Sequence, residues 1–239
     1  MLKFLRRCAP IAIAAAITMP VSGASSYEEL EGKADRFFNH SEWLSALAMM
    51  QLMLEQKPEA TGVRSRAIVA AGMAADTVAQ MRLSSEGIRN LVPIDSLFSG
   101  VERSALAIGH PWVYTSWIER MVKAEPWMRR TADSYLLRFY TFRRDAPGMI
   151  EYARRMLTGM PSNPQYLCLL ADGYMTAGKY TEATEAYSRA LEADPADLHA
   201  LLSLGNYYLL SGDREKALPY LRRAAAIRPT PYLEKILAE

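Results

Sequence analysis

Residues 164–231 repeat one pattern of side chains at an interval of 34 residues. The recurring positions are apolar, small or aromatic. They are Leu167, Leu170, Ala171 and Tyr174 with Leu201, Leu204, Gly205 and Tyr208, then Ala183, Tyr187, Ala190 and Pro195 with Ala217, Leu221, Ala224 and Pro229. The spacing i, i+3, i+4, i+7 in the first half of each unit places these side chains on one stripe of a helix. Such units bury their apolar stripes only by stacking on neighbouring units.

Prolines mark the ends of similar units along the rest of the chain. They are Pro58, Pro93, Pro126, Pro161, Pro195 and Pro229. Proline ends a helix because it cannot donate a hydrogen bond to the preceding turn. The sequence therefore predicts pairs of helices between residues 27 and 231, degenerate in the middle and well formed at the C-terminal end.

We predict four segments from this pattern. They are a signal peptide over 1–24, degenerate helical repeats over 25–163, two complete repeats over 164–231 and a C-terminal capping helix over 232–239. The last three helices are expected over 198–210, 215–227 and 232–237.

The degenerate middle is expected to begin with a helix over 64–81, broken at Gly72. Ser84–Gly87 should follow as a turn or as the start of a second helix. In the first unit, Ser41 is expected to cap the helix led by Trp43.

The N-terminus has the features of a secretory signal peptide. Basic residues within Lys3–Arg7 precede an apolar stretch over 8–19, and Ser22–Ala24 offers the small residues that a signal peptidase requires. We expect cleavage after Ala24. The apolar stretch is shorter than the roughly 20 residues that span a bilayer. The sequence therefore predicts an exported protein, periplasmic or secreted, without stable membrane insertion.

Removal of residues 1–24 changes the charge balance. This segment carries three of the 28 basic residues and none of the 26 acidic ones. The remaining chain is close to neutral, so no bulk attraction to nucleic acid is expected.

No catalytic constellation is recognisable. HExxH, CxxC, GxSxG and glycine-rich phosphate loops are absent, and the histidines His40, His110 and His199 fall in separate units. The acid Asp172 is expected to be isolated. Cys168, the one cysteine after residue 24, cannot form an internal disulfide and is either free or paired with another chain. We predict no enzyme activity, no cofactor and no metal.

The segment 112–144 mixes aromatic and basic residues. A candidate aromatic and basic patch contains Trp112, Trp117, Trp127, Arg129 and Arg130. The aromatics could instead be core residues with the arginines in solvent, which is the interpretation we favour. If these side chains lie at the surface, the patch would suit a protein partner, because Trp, Tyr and Arg are typical interface anchors.

The pattern L-x-x-L-A-x-x-Y, A-x-x-x-Y, P resembles the tetratricopeptide repeat. The resemblance implies an all-α, right-handed α-solenoid of antiparallel helix pairs whose concave groove binds a protein or peptide. Groove positions carried over from the family are Ser134, Arg138 and Thr141, then Cys168, Asp172 and Met175, then Leu202, Asn206 and Leu209, and in the first unit Glu31, Asp35 and Phe38. The lysine–asparagine set with which some members hold a C-terminal carboxylate is missing.

The sequence thus predicts a non-catalytic scaffold that binds a protein or peptide in the cell envelope and serves as an assembly factor. Two alternatives stay open. One is a helical module that binds glycans or cell wall through the aromatics at 112–142. The other is an enzyme of unrecognised type.

Overall fold

A computed structural model describes residues 25–238, which form thirteen α-helices, one short 3-10 helix at Pro126–Met128 and no strand. The predicted signal peptide and its cleavage site lie outside the described residues. The helices are α1 (Tyr27–Asn39), α2 (Trp43–Gln56), α3 (Thr61–Met73), α4 (Thr77–Arg89), α5 (Ile94–Ala107), α6 (Pro111–Ala124), α7 (Arg129–Arg143), α8 (Ala146–Gly159), α9 (Pro164–Thr176), α10 (Tyr180–Ala193), α11 (Leu198–Leu210), α12 (Arg214–Ile227) and α13 (Pro231–Ala238).

Consecutive helices pair through short turns and stack on the next pair, which confirms the predicted all-α solenoid of helix pairs. The core runs along the whole stack, because each pair buries its apolar stripe against the next one. The last three helices match their predicted bounds to within one residue at each end.

The turns of the well-formed repeats have clear local causes. Gly178 and Gly212 adopt φ values of +71° and +80°, a left-handed conformation that glycine tolerates without strain. The N–H groups of Gly178 and Lys179 then donate to the last carbonyls of α9. The first helix of each of these two repeats begins at a side-chain cap. At the start of α11, Asp197 accepts from the N–H of Ala200 at 2.8 Å.

The helix α3 is the centre of the degenerate middle. It packs against α2, α4, α5 and α6, and seven of its side chains are buried. Buried Arg64 donates from Nη1 to the carbonyl of Leu83 at 2.9 Å and from Nη2 to that of Pro58 at 2.7 Å. These bonds tie the turn after α2 and the body of α4 to the central helix.

Two details of the middle correct the sequence prediction. The predicted helix over 64–81 is not broken at Gly72. The break lies after the end of α3, at Ala75, which adopts a left-handed φ of +57°. A Cβ on Gly72 would lie 2.6 Å from Gln80 Nε2 and 2.7 Å from Val113 Cγ1, so this glycine permits close packing. Ser84–Gly87 lies inside α4 and is neither a turn nor a helix start.

The predicted cap at Ser41 is also wrong. Ser41 has a left-handed φ of +62°, and Glu42 occupies the N-cap position of α2 without a side-chain bond.

Within residues 25–238, no helix combines the length and apolar character needed to cross a membrane.

Candidate functional site

A groove of about 890 Å³ lies between α7, α9, α10 and α11. Its charged and polar side chains include Arg144, Asp172, His199 and Asn206. Each of the four lies on, or directly after, the first helix of a helix pair (α7, α9 or α11). On these helices, the residues next to the buried apolar stripe face the concave side of the stack. The groove therefore lies where the repeat pattern predicts a binding surface.

The groove contains a cluster of three polar side chains around Asp172. His199 Nε2 lies 2.9 Å and 3.0 Å from the two carboxylate oxygens of Asp172. The hydroxyl of Tyr187, a buried residue of α10, donates to Asp172 Oδ1. Asp172 is thus held from two sides and links α9 to both α10 and α11.

The cluster shifts the protonation of its members. The hydrogen bond to Asp172 raises the pKa of His199 above its ordinary value of 6.5, although partial burial opposes the shift. Burial, followed by the bond to Asp172, raises the pKa of the Tyr187 hydroxyl. Both groups therefore retain their protons more strongly than they would in water.

This cluster predicts a pH-dependent contribution to stability. Because the folded pKa of His199 is raised, its pairing stabilises the fold fully below about pH 6.5, and the contribution is lost as the pH rises through the folded pKa. We expect His199→Gln to lower the free energy of unfolding at low pH and to differ less from wild type at high pH. His199 is 54% exposed, so the effect is small. Denaturant unfolding across this pH range measures it, with His110→Gln as the control. A difference that is constant with pH would contradict the assignment.

The opposite wall of the groove is apolar and aromatic. The rings of Tyr180 and Tyr207 stack with centroids 5.7 Å apart, and Met149 and Met175 line the groove with them. Thioethers and aromatic rings adapt to varied apolar side chains. This wall can therefore pack against apolar side chains of different shapes.

A second depression of about 400 Å³ adjoins the groove along α7 and α9. It is lined mainly by Leu137, Phe142, Tyr166 and Leu169, and Phe142 is 82% exposed. Thr141 lines both depressions. The concave surface is therefore extended, as an elongated ligand requires.

The predicted groove positions divide into four groups, one of which is Glu31 and Asp35 of α1, which line neither depression. Thr141, Asp172, Met175 and Asn206 line the groove, and Ser134 and Arg138 line the second depression. Leu202 and Leu209 are partly buried and pack against the core, and neither lines these two depressions. Cys168 and Phe38 are buried, so their assignment to the groove is wrong.

Cys168 is 4% exposed, and its thiol lies 3.6 Å from Asp197 Oδ1. Burial and the neighbouring carboxylate raise the thiol pKa to about 12. A thiol with such a pKa is not a nucleophile at neutral pH. Cys168 lies on the side of α9 that faces Asp197, the N-cap residue of α11, and is therefore buried between two repeats.

The aromatic and basic patch does not exist as one surface. Trp117 is fully buried, as the favoured core interpretation predicted, so it does not belong to a surface patch. Trp112, which is 51% exposed, lies at the start of α6, and Trp127, which is 62% exposed, lies in the 3-10 helix that follows the end of α6. A helix of 14 residues is about 21 Å long, which separates the two exposed indoles. Trp127, Arg129 and Arg130 remain together on the surface.

The pairing of Asp172 with His199 was missed by sequence reasoning, which treated the acid as isolated. The two residues lie in consecutive repeats. The 34-residue interval could have placed them on adjacent first helices, but their side-chain contact depends on how far one unit is rotated against the next. Among the described residues, no group of three histidine, cysteine, aspartate or glutamate side chains is arranged to hold a metal ion.

Residues 168–231 match the family model described as tetratricopeptide repeat. The C-terminal pairs α9–α10 and α11–α12 are therefore tetratricopeptide repeats, as the sequence predicted. The preceding helix pairs extend the same stacked architecture. No curated protein matches the chain.

Several solved structures match the chain at low sequence identity. MamA of MSR-1 is 14% identical, with 84% of this chain and 95% of that chain covered and a TM-score of 0.45. The C-terminal part of a TPR repeat-containing protein from Cytophaga hutchinsonii is 13% identical, with coverages of 87% and 99% and a TM-score of 0.39. The TPR2AB domain of yeast Sti1, solved in complex with pHSP90, is 10% identical, with coverages of 90% and 98% and a TM-score of 0.39.

Proposed function

We propose that the chain is an exported, non-catalytic tetratricopeptide scaffold that holds a protein or peptide partner in its concave groove, as an assembly factor of the cell envelope. The groove between α7, α9, α10 and α11 is the observation that carries the proposal. Stacked helical repeats form extended concave surfaces that bind other proteins.

The chemistry of the groove supports a peptide ligand. Its apolar wall at Tyr180 and Tyr207 can pack against side chains, and Asn206 can hydrogen-bond to a peptide group. The side-chain oxygen of Asn206 already accepts from the hydroxyl of Tyr232 at 2.9 Å, which leaves its amide N–H groups to donate. Apolar pockets beside oriented polar groups are what an extended peptide requires.

The state of the polar residues supports a binding role over a catalytic one. The Cys168 thiol is buried with a raised pKa, and it bonds to Asp197 and not to a histidine. The carboxylate of Asp172 accepts from both Tyr187 and His199. Asp172 is therefore held by hydrogen bonds from two neighbouring helices, which suits a structural link between repeats.

Export rests on the sequence of residues 1–24. We expect the protein to be recovered from the periplasm or medium with Ser25 as its first residue, measured by N-terminal sequencing of the fractionated protein. A product in the cytoplasm that retains Met1 would contradict this part of the proposal.

The groove assignment predicts the positions at which a partner crosslinks in cells. A photo-crosslinking amino acid at Met175 or Asn206 should capture a partner protein, because both side chains line the groove and are partly exposed. The matched controls are Glu185 and Arg222, which are exposed on the second helices α10 and α12. Mass spectrometry of the adducts reads out the result.

Adducts enriched at the two groove positions over the controls are the expected outcome. Crosslinks confined to Glu185 and Arg222 would place the partner on the outer helices and contradict the assignment.

A further inference from the structure

Two adjoining clefts lie along the N-terminal half of α7, and the second of them shares Arg138 and Tyr166 with the second depression, which lies between it and the groove. One, of about 360 Å³, is bounded by Trp127, Arg129 and Arg155 on its rim. The other, of about 470 Å³, is bounded by Arg138, Tyr166 and Asp95, whose carboxylate accepts from the hydroxyl of Tyr135. Arg130 and Met156 line both clefts, so the two form one continuous basic cleft.

The basic cleft belongs to the most positively charged part of the chain. Residues 129–160 contain seven arginines, three acidic residues and no lysine. The acids are already engaged: Asp133 lies 3.4 Å and Glu151 2.5 Å from Arg155, and Asp145 caps α8. The excess positive charge is therefore available to an external ligand.

Arg129 and Arg130 are the free cations of this cleft. Both are exposed, and neither has a carboxylate within 4 Å in the described part of the chain. Arg138, by contrast, is paired with Glu102 at 3.0 Å. The two adjacent guanidinium groups thus set the charge that a ligand meets at the centre of the cleft.

The arrangement favours carboxylates spaced along a chain over one compact anion. A guanidinium fork binds a carboxylate through two parallel hydrogen bonds. The cations are spread over two depressions, and each depression also has one carboxylate at its wall, Asp133 in the first and Asp95 in the second. A compact anion in either depression would lie against one of these carboxylates, whereas an extended chain can place its carboxylates beside the arginines and away from the two acids. Trp127 and Tyr166 add aromatic surface on which an apolar or aromatic side chain can pack.

We propose that the basic cleft is a second binding site, specific for an acidic polypeptide segment that carries glutamate or aspartate next to an aromatic residue. The site is distinct from the groove, and the second depression, which Arg138 and Tyr166 also line, connects the two. Arg130 and Arg144 stand 14 positions apart at opposite ends of α7, which corresponds to about 21 Å along a helix. One partner could therefore be held at two points, or two partners at once.

Fluorescence anisotropy with a labelled synthetic peptide of glutamates and one phenylalanine tests this proposal on the purified protein. The double substitution Arg129→Gln with Arg130→Gln should weaken binding at least about tenfold, because two charge-assisted contacts are lost. The matched control is Arg222→Gln with Arg223→Gln, an exposed arginine pair on α12 that makes the same change in net charge. The control should bind as the wild type does. Thermal unfolding verifies that both variants are folded.

Further measurements decide the class of ligand. Trp127→Ala should also weaken binding, while the dependence on salt concentration stays as in the wild type, since no charge is removed. Absence of peptide binding, or equal losses in the two double variants, would overturn the proposal. So would displacement of the peptide by polyphosphate or a sulfated glycan at lower concentration than by unlabelled peptide. The groove crosslinks at Met175 and Asn206 do not depend on these arginines and test the proposed function separately.

Discussion

Trp117→Ala is expected to lower the free energy of unfolding by about 3–5 kcal/mol, the range for removal of a large buried aromatic side chain. Trp117 is fully buried, with its ring centroid 4.9 Å from that of Phe98 and 6.2 Å from that of Tyr114. Its Nε1 also donates to Ser84 Oγ at 2.8 Å. The substitution therefore leaves a cavity and removes the donor to a buried hydroxyl.

The effect should reach beyond the cavity, because Ser84 belongs to a buried polar network. Ser84 Oγ donates to the carbonyl of Gln80, and the side chain of Gln80 bonds to the carbonyl of Ile68 and to Arg120. This network ties α4 and α6 to the central helix α3. A domain is stable by only about 5–15 kcal/mol, so the loss is a large fraction of the total.

Urea unfolding followed by circular dichroism measures the change, with Trp112→Ala and Trp127→Ala as controls. Both control side chains are more than half exposed, so their removal should change stability far less. Equal destabilisation by all three substitutions would show that Trp117 is not the centre of the packing in this region.

Gly148→Ala is the second large effect, with an expected loss of about 1–3 kcal/mol. A Cβ at this position of α8 would lie 2.3 Å from Cγ of Tyr140. The Tyr140 ring cannot move aside easily, since it stacks on Tyr152 at 5.4 Å and contacts Phe139 at 5.2 Å. Helix propensity alone predicts the opposite sign, because alanine is the better helix former.

Gly32→Ala is the matched control for this prediction. Gly32 lies within α1, and no atom lies within 4 Å of a Cβ added there. Alanine should therefore stabilise the protein by about 0.5–1 kcal/mol. Thermal unfolding of the two variants should show shifts of opposite sign. A stabilised Gly148→Ala variant would mean that the Tyr140 ring relaxes without cost.

The well-formed repeats were predictable from sequence because their signals are local. The spacing of Leu167, Leu170 and Tyr174 defines a helical stripe without reference to any other part of the chain. Gly178 and Gly212 mark turns because the left-handed backbone favours glycine. The bounds of α11 therefore agree with the prediction at both ends.

The degenerate middle was less predictable because its breaks lack a local signal. The left-handed residue between α3 and α4 is Ala75, a residue that favours helices. Gly72, the apparent helix breaker, instead admits Gln80 and Val113 to the surface of α3. Contacts from distant helices override the propensity of these residues.

The candidate site divides in the same way. Asp172 and Asn206 were placed in the groove by the resemblance to the tetratricopeptide repeat, which also placed the buried Cys168 there. The bond between Asp172 and His199, and the gathering of Arg129, Arg130 and Arg155 around one cleft, join residues of different helices. Such contacts depend on the rotation and distance between helices, which the sequence interval does not specify.

The sequence by itself determined that the chain forms stacked helix pairs. Apolar residues recur at helical spacing within each helix, and the whole pattern recurs at the repeat interval, so each helix has a stripe that it must bury against a neighbour. Only the tertiary structure decided which aromatic and charged residues face solvent. Trp117 and Trp127 are the same residue type in the same degenerate segment, yet one is fully buried and the other is 62% exposed. The reason is that burial depends on which helices pack against each side, and for α6 those partners include α3 and α4, which lie far from it in sequence.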